Sequence, residues 1–259
     1  RMSADLFTQL DIPAPPASLG VLSGSAAQQG AEIMVRYEKL LLDVRPDMCV
    51  LVGDVTSTVA CAKTANALSV DVAHVEAGLR SRDWTMPEET NRIVTDSISS
   101  WLFTTSETAG QNLRDEGVSD DRILFVGNTM VDTLLANMER LRPPDFWNEF
   151  ELKSKEYFVL TLHRPANVDD GASLANLIEV IARAAHGYAI LFPVHPRTAR
   201  VLRDMNRIPD NVTLTDPQPY LEFNFLVRNS RAVFTDSGGI TEEATVMGIP
   251  CLTVRDTTE

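Results

Sequence analysis

The sequence has 259 residues, of which 44% are hydrophobic and 23% are charged, and its formal net charge is −13. This balance is typical of a globular protein with one large domain or two ordinary ones. The negative charge and the absence of clustered Lys and Arg disfavour nucleic acid as a partner, because phosphate backbones require clustered cations. No apolar run reaches the roughly 18 residues of a membrane span, and residues 1–11 lack the pattern of a signal peptide, so we expect no membrane partner.

The three cysteines are widely spaced and form no CxxC pair. Cys49 and Cys251 lie within apolar, strand-like runs. An odd number of cysteines in such positions favours reduced thiols in a cytoplasmic protein over a disulfide framework or a zinc site.

The first half of the chain alternates between short apolar runs and segments with helical periodicity, after a proline-containing start at residues 1–29. Strands separated by helices of this length predict βαβ units and a parallel sheet. The predicted strands are 48–54, 71–76, 102–106 and 122–127, and the predicted helices are 31–44, 56–68, 87–100, 107–116 and 129–141.

Residues 142–156 interrupt this alternation with a proline pair and many charges, which predicts a linker between domains. A second α/β series follows. Its predicted strands are 157–163, 188–195, 211–215, 232–237 and 250–255, and its predicted helices are 170–185, 198–205, 219–228 and 239–247. We therefore predict a Rossmann-like domain over 1–141, incomplete at its start, and a second one over 157–259, incomplete at its end.

Carboxylates follow two neighbouring strands and open a helix in the first half of the chain. Asp54 and Glu76 stand at strand ends, and Glu88 follows Pro87 in the first turn of a helix. Ligands of open α/β sheets bind at the carboxyl ends of the strands, which favours an active site here. The alternative is structural: Glu76 caps a loop, and Glu88 pairs with Arg92 one turn later.

The segment TDSGGITEEA, residues 235–244, combines a strand end, a glycine turn and a helix start. Ser237, Gly238 and Gly239 offer backbone N–H groups and a hydroxyl at a helix N-terminus, which suits a diphosphate. Glu242 or Glu243, one turn later, could accept hydrogen bonds from ribose hydroxyls. The alternative is that the turn only makes room and that the helix dipole favours the acids.

Two histidines, His163 and His195, each end a strand of the second half and each has an arginine nearby, Arg164 and Arg197. A single histidine at a strand end is usually structural, but two in one domain favour acid chemistry or phosphate binding. Their spacing does not match a metal site, and the sequence has neither a GxSxG elbow nor a P-loop. Two domains whose strand ends face each other across a cleft would gather acids and phosphate-binding groups in one site.

Taken together, these motifs resemble the UDP-N-acetylglucosamine 2-epimerase family. The matching segments are GDVTSTVA, HVEAGLRS, MPEETNR, VGNTMVD, TLHRPANV, PVHPRT, TDSGGITEEA and RDTTE, in the order of the family. The resemblance implies an α/β fold of two Rossmann-like domains of the GT-B type. It also implies interconversion of UDP-N-acetylglucosamine and UDP-N-acetylmannosamine without an added redox cofactor, and a homodimer.

The resemblance also implies roles for single residues. Asp54, Glu76, Glu88 and His163 stand at catalytic positions, and the nucleotide-binding positions are His195, Ser237, Gly238, Gly239 and Glu243. The sequence departs from the family at both ends, because it has no GTRPE motif after a first strand and stops at RDTTE. Three other functions stay open at this point: a hydrolysing epimerase that releases N-acetylmannosamine and UDP, a GT-B glycosyltransferase, and a UDP-sugar binding protein without activity.

Overall fold

The computed structural model describes residues 2–21, 24–203 and 208–255. The chain divides into two compact units. The first-sheet unit comprises residues 15–129, and the second-sheet unit comprises residues 2–14 together with 130–255. Helix α1 (Met2–Gln9) therefore belongs to the second-sheet unit, although it opens the chain. This division departs from the predicted boundaries at 141 and 157.

The first-sheet unit is a parallel sheet with helices in alternation, as predicted. Its strands are ordered β1-β2-β3-β4, so all their carboxyl ends lie at one edge of the sheet. The strands are β1 (Met48–Val52), β2 (Asp71–Ala77), β3 (Trp101–Thr104) and β4 (Ile123–Phe125). The helices are α2 (Ala26–Val44), α3 (Thr56–Ala67), α4 (Pro87–Ile98) and α5 (Glu107–Asp115).

Helix α2 begins five residues before the predicted start because of a capping box. The Ser25 side chain accepts a hydrogen bond from the backbone of Gln28, and the Gln28 side chain accepts one from the backbone of Ser25. The helix ends where Arg45 adopts the left-handed conformation, immediately before Pro46.

The second-sheet unit is also a parallel α/β structure, with strand order β7-β6-β5-β8-β9. Its strands are β5 (Tyr157–Thr161), β6 (Ala189–Pro193), β7 (Val212–Thr215), β8 (Ala232–Thr235) and β9 (Cys251–Thr253). Its remaining helices are α6 (Thr129–Asn137), α7 (Pro165–Val168), α8 (Gly171–Ala184), α9 (Pro196–Arg203), α10 (Tyr220–Asn229) and α11 (Gly238–Val246). The predicted end of α9 at 205 lies outside the described residues.

Both faces of the second sheet are buried, which explains its nearly continuous apolar strands. Leu160 and Phe192 contribute to the hydrophobic cluster on one face, and Val159 and Leu191 contribute to the cluster on the other. Residues 142–156, predicted as a linker, take part in this packing. Trp147 packs edge-on against Tyr157 and Phe225, so this stretch is part of the second-sheet unit.

None of the described helices is long and apolar enough to cross a membrane.

Candidate active site

Asp54 lies two residues after the end of β1 and is held by helix α4. An Arg92 guanidinium nitrogen, Nη2, lies 2.6 Å from Asp54 Oδ2, and the Asn91 side chain donates to the Asp54 carbonyl oxygen over 2.8 Å. The Arg92 side chain is only 2% exposed. The alternative pairing of Arg92 with Glu88 is not found among the described residues, and the buried Arg92 side chain reaches the end of β1 instead.

Glu76 has a strained backbone. It lies at a bulge of β2 between Val75 and Ala77, with a φ of 74°. A non-glycine residue in this region costs about 1–2 kcal/mol, and such strain often occurs at functional sites. The carboxylate is directed toward the end of β1, because a Cβ built on Gly53 would lie 3.4 Å from Glu76 Oε2.

Glu88 and Glu89, in the first turn of α4, lie in different environments. Glu89 is buried, and its carboxylate accepts hydrogen bonds from the Ser81 backbone (2.8 Å), the Ser81 hydroxyl (3.0 Å) and the Arg82 backbone (3.1 Å). Glu88 is half-buried, and its carboxylate makes no hydrogen bond or ion pair with the residues that the structure describes. Glu89 therefore holds the loop before α4, and Glu88 is the one available to a ligand.

A buried polar network lies beneath these acids and was not predicted. His74 Nδ1 lies 2.6 Å from Asp96 Oδ1, and His74 Nε2 lies 2.8 Å from the Gly53 carbonyl oxygen. Asp96 Oδ2 also accepts from Arg80 Nη2 at 2.7 Å and from the Gly78 backbone at 3.1 Å. The signal in the sequence was a histidine within the apolar strand DVAHV, since a buried polar side chain requires partners.

Gly78 follows β2 and packs closely against α5. A Cβ at this position would lie 2.3 Å from the carbonyl oxygen of Ala109 in α5, and its φ is 79°. The glycine is therefore needed for the packing of the β2 end against α5.

Asp236 organises the carboxyl edge of the second sheet, although only its neighbours were predicted as site residues. Its buried carboxylate accepts from the backbones of His163 and Arg164, from the Asn167 side chain, and from His163 Nδ1 at 2.8 Å. Burial acts to raise the pKa of Asp236, but the hydrogen bonds from His163, Asn167 and the Arg164 backbone outweigh it and lower this pKa.

His163 and Arg164 are thus positioned by one carboxylate. The His163 side chain is 49% exposed, and Nε2 makes no hydrogen bond to the described residues, so Asp236 orients the ring and leaves Nε2 for a ligand. Arg164 donates from Nε to the Asp236 carbonyl oxygen over 2.8 Å.

The turn formed by Ser237, Gly238 and Gly239, here called the SGG turn, lies at the N-terminus of α11, as predicted. Ser237 caps α11 by accepting a hydrogen bond from the Ile240 backbone at 3.5 Å. A Cβ on Gly238 would lie 3.5 Å from Arg255 Nη2 and one on Gly239 would lie 3.6 Å from Met130 Sδ. The Arg255 guanidinium was not predicted as a site residue, although it begins the RDTTE motif. A cation beside a helix N-terminus favours an anion there.

Glu243 lies one turn into α11, as predicted. Its Oε1 accepts a hydrogen bond from the Tyr220 hydroxyl at 2.8 Å. Burial raises the pKa of Glu243, and the Tyr220 hydrogen bond opposes this rise. The carboxylate is thus fixed in direction by a residue of α10.

The remaining predicted residues lie at the end of β6. His195 is exposed and precedes α9, and its carbonyl oxygen accepts from the Ala199 backbone at 2.9 Å. The backbone of Arg197 lies in α9, and its side chain lies outside the described residues. Within the described ranges, no group of three or more His, Cys, Asp or Glu residues could hold a metal ion.

The sequence matches the family described as UDP-N-acetylglucosamine 2-epimerase over residues 1–259. The chain belongs to this family. A UDP-N-acetylglucosamine 2-epimerase of Methanocaldococcus jannaschii is 41% identical over 270 residues, which cover 100% of this chain and 74% of that protein. This chain is also similar to a protein of Pseudomonas aeruginosa named UDP-2,3-diacetamido-2,3-dideoxy-D-glucuronate 2-epimerase, with 38% identity over 263 residues, 100% of this chain and 73% of that protein.

Among solved structures, the M. jannaschii UDP-GlcNAc 2-epimerase in complex with UDP-GlcNAc and UDP has a TM-score of 0.89 and 40% identity. The similarity covers 98% of this chain and 73% of that one. The expected α/β fold of this epimerase family, with two parallel sheets, is confirmed.

Proposed function

We propose that this chain is a UDP-N-acetylglucosamine 2-epimerase that interconverts UDP-N-acetylglucosamine and UDP-N-acetylmannosamine and retains UDP during turnover. The observation that carries the proposal is the family match over the whole chain, whose motifs supply the acids at the ends of β1 and β2. The chemistry of 2-epimerisation explains why acids are needed there.

The proton on C2 of an N-acetyl sugar is not acidic, so its direct removal is implausible without a cofactor. In the proposed route, the C1–O bond breaks first and the electron pair leaves with UDP. A base then takes the C2 proton, and the electrons of the C2–H bond form the C1–C2 double bond of a glycal. A proton returns to C2 on the opposite face, and the UDP oxygen re-forms the bond to C1.

In the first-sheet unit, we assign the sugar chemistry to Asp54, Glu76 and Glu88. Departure of UDP gives C1 oxocarbenium character, which nearby carboxylates stabilise. Inversion of C2 requires proton-transfer groups on both faces of the ring, hence more than one carboxyl group. The ion pair with the buried Arg92 guanidinium fixes the direction of the Asp54 carboxylate.

In the second-sheet unit, we assign UDP binding to the carboxyl edge of the sheet. The N–H groups of the SGG turn and the Arg255 guanidinium bind the diphosphate, and Glu243 accepts from the ribose. His163, oriented by Asp236, contacts the leaving phosphate through Nε2. The other predicted contacts of UDP are Arg164, His195 and Arg197. We further propose that the enzyme is a cytoplasmic homodimer.

The Pseudomonas relative favours a second candidate substrate, because its name describes the same 2-epimerisation on a diacetamido glucuronate. The two substrates differ at C3 and C6, so the C2 chemistry proposed here would serve both. Equimolar competition between the two UDP-sugars measures the ratio of their kcat/KM values. We expect this ratio to favour UDP-N-acetylglucosamine, and a ratio below one would assign the chain to the glucuronate.

Phosphorus NMR of the full chain with UDP-N-acetylglucosamine tests the proposal. We expect UDP-N-acetylmannosamine to accumulate to a constant ratio while free UDP stays at trace level. Stoichiometric release of UDP would support the hydrolysing reaction instead. Transfer of the sugar to an added acceptor, without any 2-epimer, would support a glycosyltransferase.

A further inference from the structure

We propose that His74 is a positioning residue that sets the distance between the Asp54 and Glu76 carboxylates. The inference rests on the proposed function, because it concerns the acids assigned to the sugar chemistry. His74 is not proposed to contact the substrate itself. It acts on the backbone that carries the two acids.

The His74 ring is fully buried in the middle of β2, and both of its nitrogens face acceptors. The Gly53 carbonyl oxygen, 2.8 Å from Nε2, can only accept a hydrogen bond. Asp96 Oδ1, 2.6 Å from Nδ1, belongs to a carboxylate that already accepts from Arg80 and Gly78. Nε2 therefore donates to the Gly53 carbonyl oxygen, and the contacts at the two nitrogens give the ring a single orientation.

The hydrogen bond from His74 Nε2 fixes the backbone of Gly53, which lies next to both Asp54 and Glu76. Gly53 precedes Asp54 and has a φ of 74°, so only a few residue types fit this position. Its N–H donates to the Val75 carbonyl oxygen over 3.2 Å, and its C=O accepts from His74. Both the N–H and the C=O of Gly53 are thus bound to β2, and this fixes the direction in which the chain continues to Asp54.

The same glycine also borders Glu76, since a Cβ on Gly53 would lie 3.4 Å from Glu76 Oε2. A methyl group in this place would be in van der Waals contact with the carboxylate. A rotation of the Gly53 peptide therefore moves Asp54 and Glu76 relative to each other. Such displacements of about 1 Å can lower a rate by about 100-fold.

The hydrogen bond at His74 Nδ1 fixes the position of Asp96, which also binds the backbone that follows Glu76. Asp96 accepts from His74 with Oδ1 and from the Gly78 backbone with Oδ2 at 3.1 Å. His74 and Gly78 lie two residues before and two residues after Glu76. The carboxylate of Asp96 thus spans the bulge and holds Glu76 in its strained conformation of φ 74°.

Two substitutions of His74 separate positioning from stability. The amide nitrogen of Gln occupies the place of Nε2, and that of Asn occupies the place of Nδ1. His74→Gln therefore keeps the donor to Gly53, whereas His74→Asn keeps only the donor to Asp96. Kinetic constants and melting temperatures are measured for both variants of the full chain with UDP-N-acetylglucosamine.

We expect His74→Asn to lower kcat at least tenfold with KM changed less than threefold, and His74→Gln to retain at least a third of kcat. Thr64→Val is the matched control, because it removes a buried hydroxyl that bonds Ala60 in the same unit, and we expect it to keep parental kinetics. Equal kcat in folded His74→Asn and His74→Gln, whether high or low, would overturn the inference.

Asp96→Leu provides a second comparison in case His74→Asn does not fold. Its side chain has a similar shape but no acceptor oxygen, so His74 and Gly78 both lose this partner, and we expect kcat to fall at least threefold at unchanged KM. Parental kcat in this variant would contradict the positioning role. Absence of 2-epimer with the parent chain would instead reject the proposed function and is seen before any variant is made.

Discussion

Glu88 and Glu89 are adjacent in the sequence, but their carboxylates meet different surroundings. Glu89 accepts three hydrogen bonds and is 2% exposed, whereas Glu88 is half-buried and makes no bond within the described ranges. The side chain that holds the loop therefore differs from the one that we assign to catalysis.

This difference predicts opposite effects of the same substitution. We expect Glu88→Gln to lower kcat at least 100-fold while the free energy of unfolding changes by less than about 0.5 kcal/mol. Glu89→Gln places an NH₂ group against N–H and O–H donors and should cost about 1–3 kcal/mol of stability. Urea unfolding and steady-state kinetics of the two variants measure both effects. A Glu88→Gln variant that lost stability but retained kcat would show that Glu88 has a structural role and not a catalytic one.

At the residue scale, the sequence predicts the acids better than their partners. Asp54 and Glu76 could be found because they follow apolar runs whose ends meet at one sheet edge. Arg92, Asp96 and Asp236 could not be assigned in this way. Their partners lie 38, 22 and 73 residues away along the chain, and such pairs follow only from tertiary packing.

At the scale of elements, the end of β2 is fixed by its approach to α5. Gly78→Ala would place a Cβ 2.3 Å from the Ala109 carbonyl oxygen at a φ of 79°. We expect it to cost about 3 kcal/mol of stability, from strain and from displacement of α5. Gly117→Ala is the control, since its φ is 88° and its Cβ would meet nothing within 4 Å. It should cost only about 1–2 kcal/mol, and equal losses in a urea titration would refute the contact argument.

The ends of β5 and β8 are joined by Asp236, and this junction depends on pH. The folded pKa of Asp236 is lowered from its ordinary value of 3.8, so the carboxylate contributes stability above that value. The contribution disappears as the pH falls through the lowered folded pKa.

Asp236→Asn should therefore cost about 3 kcal/mol at pH 7, because it replaces one acceptor oxygen of a buried site with an NH₂ group that faces hydrogen-bond donors. We expect the difference in unfolding free energy from the parent to stay constant between about pH 5 and 7 and to narrow below about pH 4. Urea titrations at several pH values measure this difference. A difference in unfolding free energy that increased toward low pH would contradict the lowering of the Asp236 pKa.

Most elements of both sheets were predicted from hydrophobic periodicity, because each strand and helix buries a regular set of side chains. Local capping explains the early start of α2, where Ser25 and Gln28 form a box that the apolar pattern does not show. Helix α7 has only four residues, Pro165–Val168, which is too short for any periodic signal.

At the scale of the whole molecule, the division into units is not linear in sequence. Helix α1 joins the second-sheet unit, where Gln9 donates to Glu222 of α10 over 2.7 Å and Arg140 lies 2.9 Å from Asp11. Composition predicted a linker at residues 142–156 because prolines and charges dominate there. In the structure, this stretch is part of the second-sheet unit, because Trp147 packs into the core of that unit.

The proposed 2-epimerisation requires this chain to remove and return the proton on C2 of a UDP-sugar. The most direct measurement is mass spectrometry of UDP-N-acetylglucosamine after incubation with the full chain in D₂O. We predict one deuterium at C2 in both the remaining substrate and its 2-epimer, and at least 100-fold slower incorporation with Glu76→Gln. Substrate that remains free of deuterium after prolonged incubation with folded protein would contradict proton exchange at C2 by this chain.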